Sequence, residues 1–404
     1  MIPMKVLREQ MEKLLLEPLS TATEKPESPP LIVLDALDEC DDEGLVSELV
    51  TLIALLPRKT PLPLRLLITS RSEPWLQAQF HQPDISALTL SLEIHAFSAE
   101  DDIRSFLHRA LDDTYNQHFQ VMKHISRPWP SSDELERIVS KAGGLFIFAL
   151  TVAKFVGDKM HNPVERLQAI LEDDATVSTG SAYADLDSLY RDAISVFPDP
   201  DIARLVLGVV YCMAIPLSIP ALHRLLQRPD VDARIIIPAL SSVLLASEDG
   251  KQPIQFYHAS FRDFLIDPRR SQKYAINPEA YHRLMAQLCF ETMSNSLRQD
   301  MCGIGDPATA NCEVPDIAER RQAAFDESLL YACRFWSCHL AQLPSDSVVS
   351  ETLLNALKRF STTVLLCWIE TLSLFGELES AVVMLREGIS WLKVCLFILV
   401  RSLH

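Results

Sequence analysis

Three acidic residues within five positions, Asp35, Asp38 and Glu39, follow the apolar run Leu31-Ile32-Val33-Leu34. An apolar run entered from Pro29-Pro30 and ended by charge reads as a buried parallel strand with carboxylates at its carboxyl end. In open α/β sheets that edge is where ligands bind. Asp35 at the strand tip can hold Mg²⁺ through water, leaving Asp38 and Glu39 to position a nucleophile. The alternative is a strand followed by a solvated acidic turn.

The surrounding elements must position these groups. Leu45, Leu49, Leu52, Ile53 and Leu56 recur with helical period, and Pro57 is expected to end that helix. Leu64 to Arg71 reads as a second buried strand with a polar tip, so the order strand, helix, strand implies a right-handed parallel crossover. Leu88 to Ile94 alternates and predicts a third strand. Residues 4 to 19 carry the apolar stripe of an amphipathic helix, followed by a Pro, Ser, Thr and Glu linker.

From Ser98 onward the pattern is mainly helical. Ser98-Ala99-Glu100-Asp101 has the form of a capping box, and Ile103, Phe106, Leu107 and Leu111 share one face of the helix it would open. Residues 183 to 226 predict three helices. Val243 to Ser247 and Ile254 to His258, joined by Glu248-Asp249-Gly250-Lys251, predict a hairpin whose helical setting points to a winged-helix domain. Beyond Asn277, paired helices without strict period predict an irregular solenoid, its last helix running from Glu377 to about Val400.

Composition restricts the class. With 48% hydrophobic and 23% charged residues the chain is globular. Its 37 basic against 54 acidic residues, a formal charge of -17, argue against nucleic acid or an anionic membrane as the main partner, because both require basic patches. The winged-helix region likewise shows no basic recognition face, which disfavours DNA binding. Nine cysteines, odd in number and without a Cys-x-x-Cys pair, read as thiols of a reducing compartment, hence a cytoplasmic location. Cys302, Cys312, Cys333, Cys338 and His339 fit no zinc spacing. The amino terminus is too charged for a signal peptide, and the uncharged stretch Leu205 to Leu222 is broken by Pro216 and Pro220, so no membrane span is expected.

The box from Leu31 to Glu39 resembles the Walker B box of NACHT-type signalling NTPases, the STAND class, and residues 5 to 400 look most like the fungal members. That resemblance implies Mg²⁺ at Asp35 and catalytic roles for Asp38 and Glu39. Arg71 matches the position of a sensor near the γ-phosphate, where its planar fork could contact two oxygens. A surface charge or a salt bridge to Asp35 or Asp38 is the alternative. Phe256 to Phe264 resembles the family motif whose His, here His258, reaches the β-phosphate of ADP; the alternative is a His capping the next helix. Gly143-Gly144-Leu145-Phe146 lacks the family's proline near the adenine.

A nucleotide-binding member also needs a Gly-rich loop ending in Gly-Lys-Ser/Thr. Gly250-Lys251 is followed by Gln252, and no such loop is present. The expectation is a missing segment rather than a mutated loop, which retains only strands three, four and five of the family sheet. The third would then close directly against the second or leave an apolar gap.

The predicted architecture is α/β followed by mainly α, a partial parallel P-loop NTPase sheet, a helical arm, a winged helix and a carboxyl-terminal helical solenoid. The regions are an amphipathic helix and linker over 1–30, the NTPase remnant over 31–97, the arm over 98–182, the winged-helix region over 183–275 and the solenoid-like region over 276–404. By resemblance the cofactors are ATP or ADP with Mg²⁺, or none bound by this chain. The expected function is that of a truncated NACHT-type signalling protein with nucleotide-gated architecture, impaired in ATP binding and not an enzyme as it stands. The alternative is a non-catalytic scaffold or regulator of full-length relatives, and the expected partners are proteins, either related full-length NACHT proteins or further copies of itself.

Overall fold

The structure is a computed structural model describing residues 7–21, 28–40, 42–59, 64–71, 73–94, 97–172, 182–197, 199–247, 249–306, 308–344 and 350–401. It is mostly helical and divides into two compact units, Met1–Phe97 and Ser98–His404.

In the first unit, β1 (Leu31–Leu34) and β2 (Arg65–Ile68) pair in parallel, with Leu31 opposite Arg65 and Leu34 opposite Ile68. The helix Glu43–Lys59 makes the crossover. It runs past Pro57, where the sequence pattern predicts a stop; a proline removes one donor and crowds the turn before it, and here that does not end the helix. Its buried stripe is Val46, Val50, Ile53 and Leu56. Ile53, Leu56 and Met11 form a cluster with Ile32, Leu34, Leu64 and Leu66 from one side of the sheet region. Met11 comes from the helical segment Leu7–Met11, which continues through a π-helical Glu12–Leu16 into Glu17–Thr21.

A two-stranded sheet has alternating residues on two faces; here one face is half-buried and the other exposed, so neither strand is the buried strand that its apolar run predicts. Leu31, Val33 and Leu67 remain 57%, 53% and 50% exposed. The predicted third strand does not form among the described residues: Leu90, Leu92 and Ile94 are 84%, 70% and 80% exposed, and residues 90–93 have no regular structure. Alternation supplies strand propensity, but a strand also needs a ladder partner and a surface to bury its apolar side. Neither expected outcome, closure on β2 or a strand left beside a gap, describes this segment.

The second unit has one continuous core. Its helices Glu100–Gln117, Ser132–Ala142 and Phe146–Val156 bury Leu107, Leu111, Ile138, Phe148 and Val152. The predicted reciprocal capping box at Ser98 is not made; Ala99 is the N-cap of Glu100–Gln117, and Ser98 Oγ accepts only the Glu100 N–H, at a long 3.4 Å. A reciprocal box forms instead at Ser131 and Glu134, where the Glu134 N–H donates to Ser131 Oγ at 3.3 Å and the Ser131 N–H donates to Glu134 Oε2 at 2.9 Å. The three helices predicted over 183–226 are Ala182–Ile194, Pro200–Cys212 and Ile219–Leu226. They lead through Ala233–Ala239 to an antiparallel hairpin of β3 (Leu244–Leu245) and β4 (Gln255–Phe256), then to Ala259–Ile266. Gly208 lies in Pro200–Cys212 because a Cβ there would sit 2.4 Å from the Tyr281 ring.

The last helices are Pro278–Ser296, Glu327–Ala341, Glu351–Arg359, Leu365–Leu374 and Leu378–Arg401. Trp336 lies at their centre, with ring centroids 5.4 Å from Phe290, 5.7 Å from Phe360 and 5.8 Å from Trp368. A buried polar chain crosses the same helices. The Ala214 N–H donates to the Tyr331 hydroxyl at 3.0 Å, which lies 2.8 Å from His339 Nε2, while His339 Nδ1 is 3.0 Å from His282 Nδ1. Every group is satisfied if Tyr331 donates to His339 Nε2 and a neutral His339 donates from Nδ1 to His282. Burial pushes the His339 pKa down to about 3 and lowers that of His282.

Because the unfolded chain binds a proton near pH 6.5 and folded His339 does not, its contribution is present above that pH and is lost as pH falls towards about 3. Between pH 7 and pH 5 the stability of this unit is expected to drop by about 2 kcal/mol from His339 alone. Urea titrations at the two pH values check it, with a His339→Gln variant expected to show a correspondingly smaller drop.

Candidate functional site

The carboxyl ends of β1 and β2 converge on Thr69, the first residue past β2. Its N–H donates to the Leu34 carbonyl at 2.9 Å, and its carbonyl accepts the Leu37 N–H at 3.0 Å. Its hydroxyl accepts the Ala36 N–H at 2.9 Å and donates to Asp35 Oδ1. These bonds turn the chain sharply after β1. Ala36 takes a left-handed conformation with φ 53°, uncommon for a residue with a Cβ. A 3₁₀ turn, Leu37–Glu39, follows. Leu37 plugs this turn into an apolar cluster with Val46, Val50, Leu76 and Ile85.

Asp38 is held from one side by a single residue. Its Oδ1 accepts the Arg71 N–H at 2.8 Å, and its Oδ2 lies 3.6 Å from Arg71 Nε. The Asp38 side chain is 9% exposed, that of Arg71 41%. Arg71 thus makes the salt bridge to Asp38 that is one of the readings open for it. Asp35 and Glu39 are exposed. The fold therefore brings Asp35, Asp38, Glu39 and Arg71 to one sheet end. Thr69, which organises them, is not among the residues that sequence reasoning singles out, although a threonine at a strand tip facing an acidic tip is a readable signal.

His258 belongs to the second unit. It is the N-cap of Ala259–Ile266: its Nδ1 accepts the Ser260 N–H at 3.1 Å and lies 2.7 Å from Ser260 Oγ. The Ser260 hydroxyl in turn lies 2.8 Å from the Tyr190 hydroxyl, and the Tyr190 ring sits 4.8 Å from Phe261 and 5.3 Å from Phe264. Burial pushes the Tyr190 hydroxyl up to about 12. The capping alternative is thus realised, and it commits Nδ1 as an acceptor.

The donor set does not complete a Mg²⁺ site. A hard cation needs about six oxygen ligands, of which carboxylates supply the charge. Here Asp38 is turned into Arg71, Asp35 is bonded to the Thr69 hydroxyl, and among the described residues no group of three or more His, Cys, Asp or Glu is placed to hold a metal. Also among them, no helix is long and apolar enough to cross a membrane.

Comparison with known proteins covers the strand end. The family model for the amino-terminal part of nephrocystin 3 matches residues 3–71, the stretch that contains β1, the acidic turn, β2 and Arg71. The vegetative incompatibility protein HET-E-1 of Podospora anserina is 26% identical over 387 residues, covering 88% of this chain and 26% of that protein. The chain thus spans about a quarter of that relative's length. No solved structure gives a significant match. Both similarities support the resemblance of this chain to fungal NACHT-type proteins.

If the acidic turn is a structural clasp, its members should differ in cost. Asp38→Ala removes an acceptor from a backbone N–H and is expected to destabilise the first unit by about 1–2 kcal/mol. Arg71→Met keeps that N–H and removes only a half-exposed ion pair, so it should cost less than about 1 kcal/mol. Chemical denaturation of the two variants measures the difference, and equal costs would contradict this assignment.

Proposed function

We propose that this chain is the switch portion of a NACHT/STAND-type signalling protein, working through protein contacts and binding nucleotide weakly or not at all. The observation that carries the reading is the strand end, where a Walker B-like acidic turn is built on a parallel ladder but its second carboxylate is occupied by Arg71. Family members use a nucleotide with Mg²⁺, and in this reading Asp35 would meet the metal, Asp38 and Glu39 the attacking water, and Arg71 and His258 the phosphates. Those roles require a phosphate loop, and this sequence has no Gly-x-x-x-x-Gly-Lys-Ser/Thr. A few charge-assisted hydrogen bonds, roughly 1.5–3 kcal/mol each, separate tight phosphate binding from none.

In the same proposal residues 31–97 are the NTPase remnant and 98–182 the arm, residues 183–275 form a winged-helix region around the β3–β4 hairpin, and 276–404 form an irregular solenoid. Protein partners follow from the same resemblance, whether related NACHT proteins or another copy of this chain. The acidic charge of -17 supports a protein partner over nucleic acid.

Isothermal titration of the intact chain with ATP and Mg²⁺ tests the chemistry. The expected result is no binding at micromolar concentration and no difference between the parent chain and Asp35→Ala. Micromolar affinity lost in Asp35→Ala would overturn the reading.

A further inference from the structure

The helix Leu378–Arg401 carries two apolar faces. Ala381, Met384, Gly388 and Trp391 form the inner one and are buried, with Gly388 set against the Trp336 ring. Beside it runs a second stripe of Leu378, Val382, Leu385, Ile389 and Leu392, at steps of four, three, four and three residues. Leu378, Val382 and Ile389 are 46%, 50% and 51% exposed, while Leu385 and Leu392 are half-buried along the edge of the unit's own core. A stripe of alternating four- and three-residue steps is the seam by which one helix packs along another. In the sequence the same steps continue to Leu396 and Leu399.

We propose that this seam docks a second copy of the same chain, antiparallel, through the two Leu378–Arg401 helices. The charges beside the seam select both occupant and direction. One flank carries Glu379, Arg386 and Lys393 at seven-residue spacing, all exposed; the other carries Ala381 and Gly388, both buried in the unit's own core. A parallel pair sets one flank against the opposite flank, which here sets charges against Ala381 and Gly388 and forms no ion pair. An antiparallel pair sets like flanks together. Stacking Leu385 on Ile389 of the partner subunit, and Val382 on Leu392 of the partner subunit, brings Glu379 alongside Lys393 of the partner subunit. Two-fold symmetry makes that ion pair twice. The exposed Arg386 lies nearest the axis, where both copies can extend into solvent. The same helix thus supplies apolar complementarity and charge complementarity to itself, independently of the nucleotide reading.

Sedimentation velocity on the intact chain over micromolar concentrations tests the proposal. A dimer is expected, converted to monomer with unchanged far-UV circular dichroism by Val382→Glu combined with Ile389→Glu. Glu379→Lys should weaken dimerisation roughly tenfold, since two exposed pairs become repulsive, and Lys393→Glu added to it should restore the parent affinity. A monomeric parent chain would overturn the proposal, as it would if the stripe is a seat for a helix of another protein. A dimer that survives the two glutamates, or a charge reversal that the second substitution fails to rescue, would overturn it equally.

Discussion

The first unit depends on how a two-stranded parallel ladder is closed at its carboxyl end. Parallel strands cannot be joined by a tight turn, so β1 and β2 are tied through the crossover helix on one side and through Thr69 on the other. Thr69 uses its N–H, its carbonyl and its hydroxyl to fix the exit of β1, and Asp38 fixes the exit of β2 through the Arg71 N–H. The acidic turn is therefore part of the closure. Its carboxylates satisfy groups that a sheet of two strands would otherwise leave to solvent.

That dual use is the physical basis of the proposed loss of nucleotide chemistry. The turn has the residue types of a metal and water site, and the similarity over residues 3–71 covers those residues. Asp38, the carboxylate that would position the attacking water, is held by a guanidinium and a backbone N–H, so freeing it must first undo both interactions. In the second unit His258 follows the same logic, since its Nδ1 is engaged in holding the start of Ala259–Ile266. Arg71 and His258 thus both take part in local structure.

Legibility in the sequence followed the kind of physics involved. The two parallel strands, the crossover helix, the three helices after Ala182 and the hairpin were readable, because each is set by period and by turn residues close in sequence. The strand expected over Leu88 to Ile94 had the right alternation and failed, since a strand also depends on a partner that alternation does not encode. The capping-box motif occurs at both Ser98 and Ser131, and the reciprocal box forms at Ser131, because packing decides which helix start makes it. At the site, the acids, Arg71 and a salt bridge between them were readable, whereas the choice of Asp38 over Asp35 as partner and the organising role of Thr69 depend on the register of Leu34 opposite Ile68.

The central claim is that the acidic turn clasps the sheet and does not respond to nucleotide. Hydrogen exchange at the Ala36, Leu37 and Arg71 amides, followed with and without Mg²⁺ and ADP, tests it most directly. These three amides donate to Thr69 and Asp38, so the account predicts slow exchange that the nucleotide leaves unchanged. A change in their protection on adding Mg²⁺ and ADP, absent in Asp35→Ala, would contradict it.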